Sequence, residues 1–338
     1  MSLKIGAARV CIIVLNFNTR DILKTCLMSI PEALEDLSLN YKINEYEIIV
    51  VDNASSDGSQ EMIRKEFPYV TLLSNPKNEG FSKAVNRAAA LSSGEFLLIS
   101  NSDIVYTKGS IAKMIYYCKC DQNIGILGPQ LVYPDGRWQR SYGDVPSIRQ
   151  AIKCVFFIYS VKNALRRLSW PKIKFDFKPR CVEYIDGAAM LVRKDIWDSL
   201  GGFDERFFFY AEDADLCFRA RKKGAKVIFF PSAKIVHFRG ASYSSFSTKN
   251  IVRMKLESDS KLVLKYWGKT CLMFYLALME FYALERISLG NCLSHLSFMF
   301  FKGNMAKTNI QTFKALREES STLRKQIRDR LLPGWPTN

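Results

Sequence analysis

Several things are scarce in this sequence. Its 338 residues include two histidines, His237 and His295, and nine cysteines, no two of which stand in a C-x-x-C pair. Cys118 and Cys120 are one residue too close for that spacing, so a zinc site built on cysteine pairs is excluded. No G-x-G-x-x-G follows the first apolar run, which argues against a dinucleotide-binding oxidoreductase. Apolar runs are short. Val10–Leu15 has 6 residues, and Cys271–Leu284 has 14 with Glu280 as its one charge. A membrane-spanning helix needs about 20. Internal repeats and low-complexity tracts are absent. The early apolar run is too short for a secretory signal, and the cysteines read as reduced core thiols, so a cytoplasmic protein is expected.

What is present is an ordinary globular mixture, 48% hydrophobic and 24% charged, with an uneven excess of positive charge. Lys+Arg total 49 against Asp+Glu 33, a net +16. Residues 1–136 are close to neutral at 13 basic and 15 acidic, and residues 181–238 balance at 9 and 9. Residues 137–180 carry 11 basic and 2 acidic side chains, and 239–338 supply the remaining +9. A neutral body with a basic insert and a basic tail points to an anionic partner. No nucleic-acid-binding motif accompanies the charge, so nucleic acid is not expected.

The first hundred residues alternate two patterns. Val10–Leu15, Glu47–Val51, Val70–Leu73 and Phe96–Ile99 are short apolar runs of the kind that suits strands buried on both faces of a parallel sheet. Between them, Phe81, Ala84, Val85, Ala88 and Ala89 fall on one helical face that Gly94 closes. Asp57 and Gln60 read as a capping box. The expectation is an α/β fold with a mostly parallel central sheet flanked by helices. Ser147–Trp170 interleaves apolar residues with Arg149, Lys153, Lys162, Arg166 and Arg167. It reads as a basic amphipathic helix, either core-facing or lying on an anionic bilayer. Further on, Tyr184–Arg193, Lys226–Phe230 and Ile235–His237 read as strands, and Asp213–Lys223 as a helix capped by Gly224. The tail, with Cys271–Leu284 and Leu296–Phe301, reads as a helical hairpin buried in a homodimer or dipped into a membrane interface.

Four stretches carry candidate chemistry. In Val50-Val51-Asp52-Asn53-Ala54-Ser55-Ser56-Asp57-Gly58, a carboxylate ends a buried strand, where α/β sheets bind ligands. It is either a nucleobase acceptor or a turn residue. In Asn78-Glu79-Gly80-Phe81, a glycine opens a helix whose N-terminus favours phosphate. Ser100-Asn101-Ser102-Asp103 leaves an acid at a strand end, a natural cation ligand opposite a diphosphate. Gly201 to Asp215 sets Glu212, Asp213 and Asp215 at a helix start, as dipole partners or as a general base. Beyond them lies His237, which these acids raise from a structural residue to a ligand candidate.

In order and spacing, VDNASSDGS, NEGFSKAVN, SNSD, DGAAMLVR, GGFDERFFFYAEDADLCFR and PSAKIVHFRGAS resemble the family 2 inverting glycosyltransferases with a GT-A fold. The likeness is strongest to the non-processive, rhamnosyltransferase-like branch. It covers about Val10 to Ser242 and implies a GT-A domain over 1–240, with a C-terminal helical extension over 241–338. It further implies that Asp52 binds the donor base, helped by Asn16 and Asn18, and that Asn78, Gly80 and Lys83 line the nucleotide site. Asp103 and His237 would be the ligands of a divalent cation, Mg²⁺ or Mn²⁺. Asp213 would be the catalytic base, with Glu212 and Asp186 near the acceptor. Asn101 stands where the family's first metal-motif acid is expected, which leaves the metal one carboxylate short. The expected partners are a nucleoside-diphosphate sugar, a glycan or lipid-linked acceptor, and an anionic membrane contacted peripherally at its inner face.

Alternatives within the same fold are weaker. A sugar nucleotidyltransferase wants a glycine-rich loop after the first strand, and Leu15-Asn16-Phe17-Asn18-Thr19-Arg20 has none. A processive synthase wants Gln-x-x-Arg-Trp and long membrane helices. A catalytically weak or inactive sugar-nucleotide-binding protein of the same fold is the alternative that Asn101 raises.

Overall fold

The computed structural model describes residues 9–36, 41–158, 178–238, 247–297 and 304–329. In chain order the strands are β1 Arg9–Asn16, β2 Glu35–Asp36, β3 Tyr41–Lys42, β4 Glu45–Asp52, β5 Thr71–Ser74, β6 Phe96–Asn101, β7 Ile104–Tyr106, β8 Ile124–Val132, β9 Tyr142–Gly143, β10 Arg180–Cys181, β11 Tyr184–Ile185, β12 Ala189–Arg193 and β13 Lys226–His237. The main sheet runs β10-β13-β8-β12-β6-β1-β4-β5, with β7 paired to β13. The part built from the N-terminal strands is parallel: β1 lies between β4 and β6, and β5 flanks β4. The direction then reverses. β12 is antiparallel to both β6 and β8, while β13 runs parallel to β8.

The reason for the parallel part is legible in its residues. Val10, Ile12, Val14, Val50 and Leu98 are fully buried on one face with Leu23, Leu27 and Ile30 of the helix Arg20–Ala33. Each such side chain contributes about 1.5–3 kcal/mol relative to exposure. Helix Phe81–Leu91 buries Phe81, Ala84, Val85, Ala88 and Ala89, the face its spacing predicts.

Some local expectations are corrected. Asp57 and Gln60 do not form a capping box. The helix Ser59–Glu66 starts from Gly58 at φ 83°, Asp57 bonds Ser59, and Gln60 reaches Asp52 instead. The two strands expected over 226–237 are one strand with an irregularity between Phe230 and Lys234. Of the cysteines, Cys11, Cys26, Cys118 and Cys217 are buried and free, whereas Cys120 and Cys181 are exposed.

The chain divides into two compact units. One is built from the described residues of Met1–Val145, Arg166–Phe208 and Glu212–Ser244. It contains the main sheet. The other draws on Pro146–Leu165, Phe209–Ala211 and Ser245–Asn338. Of the basic amphipathic stretch, Ile148–Val155 is helical, capped by Ser147 Oγ, which accepts from Gln150 N. Residues 159–177 lie outside the described residues. The tail holds a 50-residue helix, Thr248–Ser297, broken at Gly268 (φ 78°, ψ 178°), and a second helix, Asn304–Arg328. Leu256, Val263, Leu272, Tyr275, Leu276 and Met279 pack with Leu323, Ile327 and Ala151. Arg324 pairs with Glu280 at 2.7 Å. By length and composition alone, Thr248–Leu289 suffices to cross a membrane, although Cys271–Leu284 by itself does not. Leu296–Phe301 lies outside the residues whose side chains are described.

Candidate active site

Three predicted residues meet where parallel strands end. In register, Asn16 at the end of β1 faces Asp52 at the end of β4, and Leu15 faces Asn101 at the end of β6. Such carboxyl ends are where open α/β sheets bind ligands. Asn16 Nδ2 donates to Asp52 Oδ2 at 2.8 Å and to Ser55 Oγ at 3.1 Å. Asp52 is fully buried. Its Oδ1 accepts from Ser55 N at 3.0 Å and Gln60 Nε2 at 2.7 Å. Asn18, at φ 51°, accepts from Ser56 N on Oδ1 at 2.8 Å. Thr19 Oγ1 donates to Asn16 Oδ1 at 2.7 Å and lies 2.6 Å from Ser102 Oγ, which joins the first loop to the Asn101–Asp103 loop.

The Asn78-Glu79-Gly80 turn is a clamp. Asn53 Nδ2 donates to Asn78 Oδ1 at 3.0 Å and to Gly80 O at 3.1 Å. Gly80 sits at φ 82°, and a Cβ there would fall 2.5 Å from Phe208 O. Phe81 N donates to that same carbonyl at 2.8 Å, and Ser82 Oγ to Phe207 O at 2.7 Å. The aromatic run therefore seats the start of this helix. Lys83 is exposed on its first turn and paired with Glu79 at 3.0 Å.

Asp103 and His237 are brought together. Backbone pairing sets the distance: β7 runs antiparallel to β13 with Ile104 opposite His237, and Phe238 N donates to Asp103 O at 2.9 Å. His237 Nε2 then lies 3.4 Å from Asp103 Oδ1, and both side chains are buried. Asp103 Oδ1 has no hydrogen-bond partner. A buried carboxylate oxygen without a donor, facing an imidazole nitrogen, suits a cation. Among the described residues no third His, Cys, Asp or Glu joins them. The remaining ligands would have to come from a diphosphate and water.

Asp213 is linked to the end of β6 at Asn101 through the turn before β12. It is the second residue of the helix Glu212–Lys222, after Tyr210 and Ala211 at φ 69° and 67°. Non-glycine residues there carry roughly 1–2 kcal/mol of strain each, the kind of outlier that marks functional sites. Asp213 Oδ2 accepts from Gly187 N at 2.9 Å and Oδ1 from Ala214 N at 2.7 Å. Ala188 O in turn accepts from Asn101 N at 3.1 Å. Asp186 Oδ1 accepts from Ala188 N at 3.2 Å. Glu212 is buried beside Asp213. Asp215, the third acid, is structural: it pairs with Arg219 at 2.7 Å, and Arg219 holds the carbonyls of Leu200 and Gly202.

Sequence reasoning passed over Gln139. The turn Tyr133–Arg137 folds this residue back against β8, and its side chain bonds His237. Its signal was the Pro134-Asp135-Gly136 turn followed by a polar residue beside Trp138, whose backbone bridges back to Val132. The end of the last motif, Arg239 to Ser242, lies outside the described residues, as does the side chain of His295.

In sequence and in fold the chain is similar to known proteins. The pattern of Glycosyl transferase family 2 matches residues 11–199. The N-acetylglucosaminyl-diphospho-decaprenol L-rhamnosyltransferase of Mycobacterium tuberculosis is 30% identical over 207 residues, 58% of this chain and 67% of that protein. Rhamnosyltransferase WbbL of Escherichia coli is 25% identical over 227 residues, 65% of this chain and 82% of that protein. The mannosyltransferase PcManGT of Pyrobaculum calidifontis, solved with GDP-Man and Mn²⁺, superposes with a TM-score of 0.57 at 16% identity. It covers 95% of this chain and 88% of that one. The fold is that of the GT-A glycosyltransferases. The chain belongs to glycosyl transferase family 2, on its rhamnosyltransferase-like branch.

Proposed function

We propose that this chain is an inverting hexosyltransferase of cell-surface glycan assembly. It would move a sugar, with rhamnose the first candidate, from a nucleoside diphosphate to a hydroxyl of a lipid-linked glycan acceptor. One arrangement carries this reading: the Asp103–His237 pair at 3.4 Å, and Asp213 tied to the same loop through Gly187, Ala188 and Asn101.

In this reading Asn16, Asn18, Asn78, Gly80 and Lys83 form the nucleotide side. Asp52 Oδ2 accepts from Asn16 and keeps one acceptor position for a nucleobase imide N–H. Asp103 and His237 would hold Mg²⁺ or Mn²⁺. When bound, such a cation offsets the negative charge that grows on a leaving diphosphate. Asp213 would take the proton of the acceptor hydroxyl from the opposite side, with Asp186 and Glu212 orienting that acceptor. Positioned proton transfer contributes about 10²–10⁴-fold. A single displacement inverts the anomeric carbon. Residues 1–240 would form the catalytic domain.

Residues 241–338, with the basic insert, would seat the enzyme on the inner face of an anionic membrane. Exposed Phe274 and Phe281 on the long helix, at 61% and 52%, support an apolar contact. Each Lys or Arg near such a surface adds about 1 kcal/mol. Flotation with anionic vesicles, reversed by high salt, is expected. A concentration-dependent dimer with no vesicle binding would assign the tail to self-association instead.

Asn101 favours a second reading, a sugar-nucleotide-binding protein without turnover. A thermal-shift screen of nucleotide sugars with Mn²⁺ or Mg²⁺, followed by product detection on a lipid-linked acceptor, separates the two. Stabilisation with product supports the transferase, and stabilisation without product on any acceptor supports the second reading. The absence of stabilisation by every nucleotide sugar would sink both.

A further inference from the structure

Gln139 contacts His237 with both arms of its amide. Nε2 donates to the backbone carbonyl of His237 at 3.3 Å, and Oε1 lies 2.5 Å from Nδ1. The first contact decides the second. A carbonyl only accepts, so the amide nitrogen must face it and the amide oxygen must face the ring. An amide oxygen also only accepts, so Nδ1 carries a hydrogen. A neutral imidazole has a single N–H, which leaves a lone pair on Nε2. Nε2, which carries that lone pair in the neutral ring, is the atom 3.4 Å from Asp103 Oδ1, itself buried without a donor.

Gln139 is held firmly enough for this task. It is 2% exposed. Its backbone N–H donates to Leu131 O at 3.1 Å. Its carbonyl accepts from Gln130 Nε2 at 2.8 Å, and Gln130 also reaches Ser141 Oγ at 3.1 Å. Ser141 Oγ accepts in turn from Leu131 N at 2.7 Å. A buried side-chain amide is costly to desolvate unless it is hydrogen-bonded, and His237 engages both ends of this one.

We infer that Gln139 is a positioning residue that fixes His237 in the Nδ1–H form and aims its Nε2 lone pair at the space beside Asp103. The inference rests on the proposed assignment of Asp103 and His237 as cation ligands. The pair then meets a divalent cation with ring orientation and tautomer already set, the role that outer-shell partners of metal-binding histidines play.

Two histidines make the test tractable, since His295→Gln leaves one imidazole to observe. In metal-free protein carrying ¹⁵N-histidine, at a pH above the imidazole range, Nδ1 is expected to resonate as a protonated nitrogen and Nε2 as a lone-pair nitrogen. In Gln139→Leu the two tautomers should mix, and Mn²⁺ affinity, read by electron paramagnetic resonance without donor, should fall roughly 10- to 100-fold. A wild type whose Nε2 carries the proton overturns the inference even if Gln139→Leu does not fold. So does a folded Gln139→Leu protein with the wild-type tautomer and Mn²⁺ affinity. Asp103→Asn and His237→Gln test the ligand assignment separately. If both bind Mn²⁺ as tightly as wild type, that assignment fails and the cation part of the inference fails with it, while the nitrogen shifts still report on the tautomer.

Discussion

Gly187 N–H donates to Asp213 Oδ2 across 2.9 Å, and this bond ties the acid-bearing helix to the turn that enters β12. With Ala214 N on the other oxygen, the carboxylate has an amide on each side. Two amide donors fix the orientation of the carboxylate and still leave each oxygen a further acceptor position. The same turn passes Ala188 O to Asn101 N, so a shift of the helix would be felt at the strand end that leads to Asp103.

Gly80→Ala should destabilise the protein. The position is at φ 82°, and the new Cβ would fall 2.5 Å from Phe208 O and 2.7 Å from Phe208 Cδ2. Strain of this kind costs of order 1–3 kcal/mol. A denaturation midpoint lowered accordingly, with an unchanged m-value, is the expected result. An unchanged midpoint would mean that the aromatic run does not clamp the turn.

Asp57 should contribute an acid-dependent part of stability. Burial pushes its carboxyl up, but hydrogen bonds from the Ser59 hydroxyl and from the amides of Arg20 and Ser59 outweigh that and hold it below the usual carboxylate range. The folded pKa is therefore below the unfolded one. The stabilisation is complete above the unfolded value near about 4 and is lost as pH falls through the folded value. Melting temperature between neutral pH and pH about 3 should fall more steeply in wild type than in Asp57→Asn. Parallel curves would contradict the assignment.

Thiol reactivity should sort by burial. Cys120 and Cys181 are exposed, while Cys11, Cys26, Cys118 and Cys217 are buried. Burial raises the thiols of all four, that of Cys11 to about 12, which leaves little thiolate to react. In a disulfide-exchange titration, Cys120 and Cys181 should react in the native protein and the four buried thiols only on unfolding. Native-state labelling of Cys26 or Cys217 would contradict the packing.

The parallel part of the fold was readable because strands buried on both faces are written as unbroken apolar runs, as in β1, β4 and β6. The reversal at β12 was not, since Ala189–Arg193 is equally apolar in either direction. Pro231 and Lys234 made one strand look like two, although β13 continues through an irregularity at that point. Gln60 looked like a capping partner because spacing alone cannot reveal that Asp52 claims its amide. Asp103 and His237 were legible as a pair only through the family likeness. What brings them together is a backbone register between β7 and β13, which no local pattern announces. Gln139 was hidden for the same reason.

The most direct test of the account is Asp213→Asn, assayed for both binding and turnover. The substitution keeps the size of the side chain and leaves one oxygen to accept from Gly187 N or Ala214 N, but removes the second acceptor and the capacity to take a proton as an anion. Calorimetry with nucleotide sugar and Mn²⁺ should show donor affinity close to wild type, while transfer to acceptor falls by about 10²-fold or more. Turnover at the wild-type rate would remove Asp213 from the reaction and contradict the central claim.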